Sequence, residues 1–597
     1  MTASAAAPSR RRRSASGLAL VVVGLAGSGA CDPGSVPDRP GSVPDQPASA
    51  TRPSPPAAPL PDTAVLAREI PALMAAADIP GLSVAVVQQG RVVWTGAFGT
   101  RNDPGRTPVD QETIFEAASL SKPVFAYLVL RLADRRAFDL DRPLAQLVEY
   151  PRLAHDPRAG RITARMVLAH ATGLPNWGGD TLTLGFDPGT AYGYSGEGFV
   201  YLQRAVERVT GQSLDQLARQ EVFEPLGMTR SGYRWRPAFG DDAAYGTDWL
   251  RRPAPAIRYA DANAAASLLT TAGDYARFVT AVLTGRGLSP EGWRAFLTPV
   301  RETSPGISIG LGIRVEGPPA ARIFYHSGNN GRRFTSYMAG NVATGLGLVY
   351  FTNAPNGTSL VAALAPRVFG ADHPPRHWAT FDRYDDPRLA AQRAVERAAA
   401  DSGADAARRR LAAMAAAPAT RPTFDQTLAL GDYLSSRGLA PLAIELLQRT
   451  VAATPGSADG RLALGRAWEK AGRLDSALAW YRRAGQVGGA EDEAARQIRW
   501  TEARLAARAR PVRLGPERLR RFAGPYRDRT VTLHDGRLYY EGGPAPPAPM
   551  IPLADDLFEL ASDPAVRVRF VGGGAGPASR IVVRYSDGTV DEWARSP

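Results

Sequence analysis

Apolar and polar positions change rhythm several times along the chain, and each change marks a boundary. Residues 83–87 and 92–94 are short runs of β-branched and apolar side chains. The polar turn Gln88-Gln89-Gly90 between them predicts a β-hairpin. Residues 122–132 are apolar almost throughout and predict a buried helix, and 346–352 read as a buried strand. Residues 63–370 therefore predict one mixed α and β domain with a helical insert. Residues 371–425 are rich in Ala and Arg and predict a helical connector. Over residues 426–508 a motif recurs: Leu428-Ala-Leu-Gly431 returns as Leu462-Ala-Leu-Gly465, Gly438 as Gly472 and Ala443 as Ala477. That spacing, with two short amphipathic helices per unit, resembles tetratricopeptide repeats. From 511 to 597 the period falls to two, with turns at His534-Asp535-Gly536 and Ser586-Asp587-Gly588, and predicts a small antiparallel β domain.

The N-terminus has a different rhythm. Arg10 to Arg13 precede an apolar stretch from Gly17 to Gly27, too short to span a bilayer. Small residues Ser28-Gly29-Ala30 follow, and then Cys31, the chain's only cysteine. Residues 1–31 read as a signal peptide of lipoprotein type. Cys31 is the lipidation candidate, with plain secretion after Ala30 as the alternative. Residues 32–62 repeat Pro-Gly-Ser-Val-Pro-Asp and run into a Pro/Ala/Ser-rich tract. This is a spacer that cannot bury a core. The expected location is exported, periplasmic or cell-envelope, with membrane contact only through that anchor.

Composition changes the picture in two places. The net charge of +13 suggests nucleic acid, but the arginines outside the leader are dispersed among acids and form no basic run interleaved with aromatics. No nucleic-acid partner is expected. Lysine is nearly absent: of 71 basic residues only Lys122 and Lys470 are lysines. A position that keeps lysine in such a background needs what arginine cannot supply, a neutral amine. The six histidines form no metal-ligand motif, so neither a metal nor another cofactor is expected.

Lys122 follows Ser119 by three residues at the start of the apolar helix, which sets both side chains on one face. A serine hydroxyl is a weak nucleophile until a base removes its proton. An amine desolvated at a helix start loses its own proton more readily and becomes that base. The helix N-terminus also favours the oxyanion formed on attack.

Ala118-Ser119-Leu-Ser-Lys122-Pro123 resembles the active-site motif of the serine β-lactamase, penicillin-binding and related esterase family. Other segments resemble that family in the same order. Residues 79–87 look like its first core strand, and 168–175 like the loop entering its helical subdomain. Tyr194-Ser195-Gly196 looks like its Tyr-x-Asn motif, and His326-Ser327-Gly328 like its Lys-Thr-Gly or His-x-Gly motif. The resemblance implies an α/β domain with an antiparallel sheet, helices on both faces and a helical subdomain. It implies Ser119 as nucleophile, with Lys122 and Tyr194 sharing acid and base work and Tyr192 as the alternative proton carrier. His326 and Gly328 would line the site, and the N–H groups of Ser119 and Asn329 would form the oxyanion hole. His170 reads as a loop-holding residue. Gly193-Tyr-Ser195-Gly196 imitates a nucleophile elbow but lacks its last glycine, since residue 197 is Glu, so Ser195 is not expected to react.

Two departures, Gly196 for Asn and His326 for Lys, favour esters, small amides and D-amino-acid peptides over efficient penicillin hydrolysis. The expected function is acyl-enzyme hydrolysis of a small-molecule or peptide substrate. The repeats would bind a protein partner or pack on the catalytic domain. The alternative is an envelope receptor or repeat scaffold that acylates without turnover.

Overall fold

The computed structural model describes residues 61–597, apart from 179–181, 331–332, 371–374, 489, 528, 543–545, 565, 573, 575, 585–589 and 597. The expected leader, Cys31 and spacer residues 32–60 lie outside the described residues, as does the turn at Ser586-Asp587-Gly588.

Helix α1 (Thr63–Ala77) starts where the Asp62 carboxylate accepts the backbone N–H groups of Ala64 and Val65. It leads into the hairpin of β1 (Gly81–Gln88) and β2 (Arg91–Gly99). β1 is buried at every position, because helices cover both faces of the sheet. The remaining strands come late in the domain: β3 (Arg301–Ser304), β4 (Ile307–Ile309), β5 (Arg314–Glu316), β6 (Ile323–Asn330), β7 (Phe334–Asn341) and β8 (Leu346–Thr352). The eight run in the order β2-β1-β8-β7-β6-β5-β4-β3, with antiparallel neighbours throughout.

Strand alternation splits the core in two. Val84 and Val86 face the helix α1 side, together with Tyr325, Tyr337 and Tyr350. Ala85 and Val87 face the opposite side, with Phe324, Met338 and Phe351. That second core holds α2 (Ser121–Asp134) and extends through α3 (Gly196–Thr210) and α4 (Ala272–Thr284). Helix α5 (Val361–Phe369) packs beside α1 on the first side. This is the architecture the motifs imply: an antiparallel sheet between helical layers, with a helical region inserted between α2 and α4.

The segment after residue 374 stays on that sheet. His377 and Trp378 are buried in the same core as α1. The His377 ring stacks on Tyr325 at 3.7 Å, and its Nε2 is 2.7 Å from the Tyr337 hydroxyl. Its Nδ1 meets Glu316, which also accepts the Arg376 N–H.

Eight helices follow among the described residues: α6 (Pro387–Asp401), α7 (Gly403–Ala416), α8 (Phe424–Ser436), α9 (Ala440–Ala453), α10 (Ala458–Lys470), α11 (Leu474–Ala484), α12 (Glu491–Ala509) and the short α13 (Pro516–Phe522). A Cβ at Gly431 would meet Leu447 at 2.7 Å, and one at Gly465 would meet Tyr481 at 2.4 Å. Both glycines are therefore fixed by close helix approach. The chain ends in an eight-stranded antiparallel meander, residues 524–594, whose neighbours follow in sequence order around a core of Phe522, Phe558 and Phe570.

Candidate active site

The segment before Ser119 makes a tight turn. Ala118 adopts φ 50°, a left-handed conformation that costs a non-glycine residue roughly 1 kcal/mol. The turn puts half-buried Ser119 on a short 3-10 segment just ahead of α2. Strand β6 presses directly against it. A Cβ at Gly328 would lie 2.5 Å from the Ala117 carbonyl and 3.0 Å from the Ala118 Cβ. Glycine at 328 lets the strand carrying His326 and Asn329 reach the nucleophile's turn.

Lys122 is 0% exposed. Its Nζ lies 3.1 Å from Ser119 Oγ and donates to the Ala265 carbonyl at 2.8 Å. It also sits 4.9 Å from the Tyr194 ring centroid and 5.8 Å from that of Phe199. Desolvation by these neighbours lowers its pKa to about 7. Near neutrality the amine is neutral for much of the time and has a lone pair for the Ser119 proton.

Tyr194 faces the Ser119 hydroxyl, and burial pushes its own pKa up to about 12, so it is a phenol at working pH. Its ring stacks on His170 at 4.3 Å and lies 6.3 Å from His326. His170 Nδ1 accepts the Ser195 N–H at 3.0 Å, which positions the segment that carries Tyr194. Ser195 itself caps α3: its Oγ accepts the Gly198 N–H at 2.9 Å and donates to the Pro175 carbonyl at 2.8 Å. The missing side chain at Gly196 has its space filled from elsewhere, since a Cβ there would meet Asn176 and Trp177 at 2.8 Å.

His326 is buried, and burial first, then Arg314 and Lys122, drive its pKa down to about 3. It is therefore neutral. Nδ1 lies 2.8 Å from the Ser327 carbonyl and carries the proton. Nε2 is then a buried acceptor with no hydrogen-bond partner among the described residues.

The structure thus brings Ser119, Lys122, Tyr194, His326 and Gly328 together at one site, with Asn329 next along β6. Tyr192 reaches it from the side: its ring meets His170 edge-on at 6.1 Å. Sequence reasoning missed a second tier. Glu116, 2% exposed, accepts the Ile257 N–H at 2.8 Å and the Tyr259 hydroxyl at 3.1 Å, and also bonds Asn330. One carboxylate thereby ties the nucleophile's segment to β6 and to the loop that supplies Ala265. The only signal for it was an acid inside the apolar run Phe115-Glu-Ala-Ala.

Residues 66–373 match the family described as Beta-lactamase. The chain is 28% identical to the human protein named putative beta-lactamase-like 1, over 38% of this chain and 51% of that one. It is 30% identical to a D-aminopeptidase of Gluconobacter oxydans, over 28% of this chain and 35% of the relative. It is also 30% identical to esterase EstB of Burkholderia gladioli, over 26% and 47%. The chain spans about half or less of the length of these curated relatives.

Proposed function

Because the chain belongs to the beta-lactamase family of serine hydrolases, we propose that it cleaves an ester or small amide through an acyl-enzyme on Ser119. Lys122 Nζ takes the hydroxyl proton as Oγ adds to the carbonyl. The backbone N–H groups of Ser119 and Asn329 bind the resulting oxyanion. Tyr194, still protonated, passes a proton to the leaving group and is recharged from Lys122. A water activated by the same pair then releases the acid. Neutral His326 lines the cleft and accepts a hydrogen bond from substrate through Nε2. The relatives named D-aminopeptidase and esterase support small amides of D-amino acids and simple esters as substrates. The reading extends to an exported protein anchored at Cys31, with the helices of residues 426–508 receiving a protein partner.

The observation that carries this reading is the Lys122 amine, fully buried and 3.1 Å from Ser119 Oγ. Its test is turnover of a p-nitrophenyl ester, a D-amino-acid p-nitroanilide and a chromogenic cephalosporin, followed by intact mass. Ester and D-amide cleavage should exceed cephalosporin cleavage, and Ser119→Ala should abolish all three. Cleavage surviving Ser119→Ala would refute the assignment, and an acyl adduct that never leaves Ser119 would instead mark a receptor.

A further inference from the structure

Helix α7 runs back along α6 after Ser402: Ala399 shares a core with Ala407, and Val395 with Met414. Beside that packed seam each helix carries a second stripe at helical spacing. On α6 it sets Arg393 and Arg397 one turn apart, with Ala394 and Ala398 next to them. On α7 it sets Arg409 and Arg410 between Ala406 and Ala413. The two stripes and the C-terminal end of α1, at Ala75 and Asp78, line one open cavity of about 830 Å³. None of Ser119, Lys122, Tyr194 or His326 lines it, so it is not the catalytic cleft.

The alanines are too short to fill the space, and the groove stays open between arginine side chains. Arg393 is half-buried and fixed: Nη1 donates to the Ala77 carbonyl at 3.1 Å, and its guanidinium carbon lies 5.4 Å from the Trp249 ring centroid. Arg397, Arg409 and Arg410 are exposed. Against these four arginines the cavity has two acids, Asp78 and Asp401. Asp78 already serves Arg251 at 3.1 Å and Arg397 at 3.4 Å. The only acid of α7, Asp405, pairs with Arg408, which does not line the groove. One surface arginine is ordinary in a chain this rich in arginine. Four that converge on a concave wall concentrate a positive field there.

The spacing points to the ligand. Arg393 and Arg397 stand about 6 Å apart along α6. In an extended peptide, side chains on one face recur about every 6.6 Å. Two carboxylates at that spacing can each meet a guanidinium fork. A flat charged surface such as a bilayer cannot enter a concave groove. We propose that the groove between α1, α6 and α7 binds an extended acidic segment of a partner protein, with carboxylates two residues apart on Arg393 and Arg397 and a neighbouring one on Arg409 or Arg410. This surface is separate from the helices of residues 426–508, and its occupancy does not depend on whether Ser119 reacts.

Fluorescence anisotropy of the full chain tests the proposal with two labelled hexapeptides, one of glutamate and one of glutamine. At low salt the glutamate peptide should bind at least about tenfold more tightly, and its binding should weaken as sodium chloride is added. Arg409→Gln combined with Arg410→Gln alters two exposed side chains and should cut that affinity at least about fivefold. Arg142→Gln combined with Arg537→Gln removes the same charge from exposed positions elsewhere and should change it less than about twofold. Arg397→Gln reads the α6 wall independently and should also weaken binding. Equal affinity for the two peptides, equal losses in the two double variants, or no loss in Arg397→Gln would each overturn the proposal. Tripolyphosphate or phosphatidylglycerol vesicles binding more tightly than the glutamate peptide, with the loss falling on Arg409→Gln/Arg410→Gln, would overturn it as well and make the groove a phosphate or lipid site.

Discussion

Lys122 holds two properties in opposition, and both are measurable. Its pKa falls from 10.5 to about 7 in the folded protein. The unfolded chain therefore binds the lysine proton between about 7 and 10.5 while the folded chain does not. Stability rises with pH across that window and is lost as pH falls through it. At 1.36 kcal/mol per unit, the shift corresponds to about 5 kcal/mol. Denaturant unfolding of Lys122→Met should lose most of that slope between pH 7 and 9.5, and a slope identical to the unmodified protein's would show that the amine is not desolvated. The same shift governs rate. The neutral amine is the base, so kcat/KM should rise with pH around a midpoint near 7 and then level. His326, neutral down to about pH 3, adds no second limb in that range. Lys122→Arg cannot offer a neutral nitrogen and should lower kcat by at least about a thousandfold; a flat profile from pH 6 to 8 would remove the amine from the mechanism.

At the scale of elements, the contact between β6 and the nucleophile's turn makes the sharpest demand. Gly328→Ala places a methyl 2.5 Å from the Ala117 carbonyl, so the strand must retreat and take Asn329 with it. Misplacing one oxyanion donor costs about a hundredfold or more in kcat. The expected outcome is that loss with far-UV circular dichroism unchanged, and near-normal turnover would mean that β6 does not set the oxyanion site. Which elements were readable from the sequence follows from their length and rhythm. The first hairpin and strand β8 were legible as short runs of buried β-branched side chains bounded by turn residues, and α2 as a continuous apolar run. Ser119 and Lys122 were legible because a helix fixes their spacing and lysine is so rare here. Glu116 was not. It is a charged residue in a strand of two residues, too short for any periodicity, and its meaning depends on partners more than a hundred positions away. The loop through Tyr259 and Ala265 shows no period either, although it holds both Glu116 and Lys122 in place.

At the scale of the whole molecule, two joints decide what can be separated from what. The helices and the terminal meander meet through buried charges. Arg504 bonds Glu469 at 2.7 Å and Glu559 at 2.8 Å, and Arg567, 1% exposed, lies beside the same two acids and 5.4 Å from the Trp500 ring. By contrast, the ion pair Arg527–Asp261 between the meander and the catalytic region is largely exposed and contributes about 1 kcal/mol at most. The catalytic region's own edge lies beyond the helix α5 boundary suggested by residue patterns. Cutting at residue 370 would remove His377 and Trp378 from the core. Tyr337 would then lose its partner, and the face of Tyr325 would be exposed on the strand that carries His326. Deleting a buried tryptophan costs about 3–5 kcal/mol by cavity formation alone. A fragment of residues 61–386 should therefore fold cooperatively and retain ester cleavage, while one of residues 61–370 should melt at least about 10 °C lower or fail to fold. Equal melting of the two fragments would show that the sheet does not need its Glu316–His377–Tyr337 clasp. Folding without activity in the longer fragment would place part of the site in the helices or the meander.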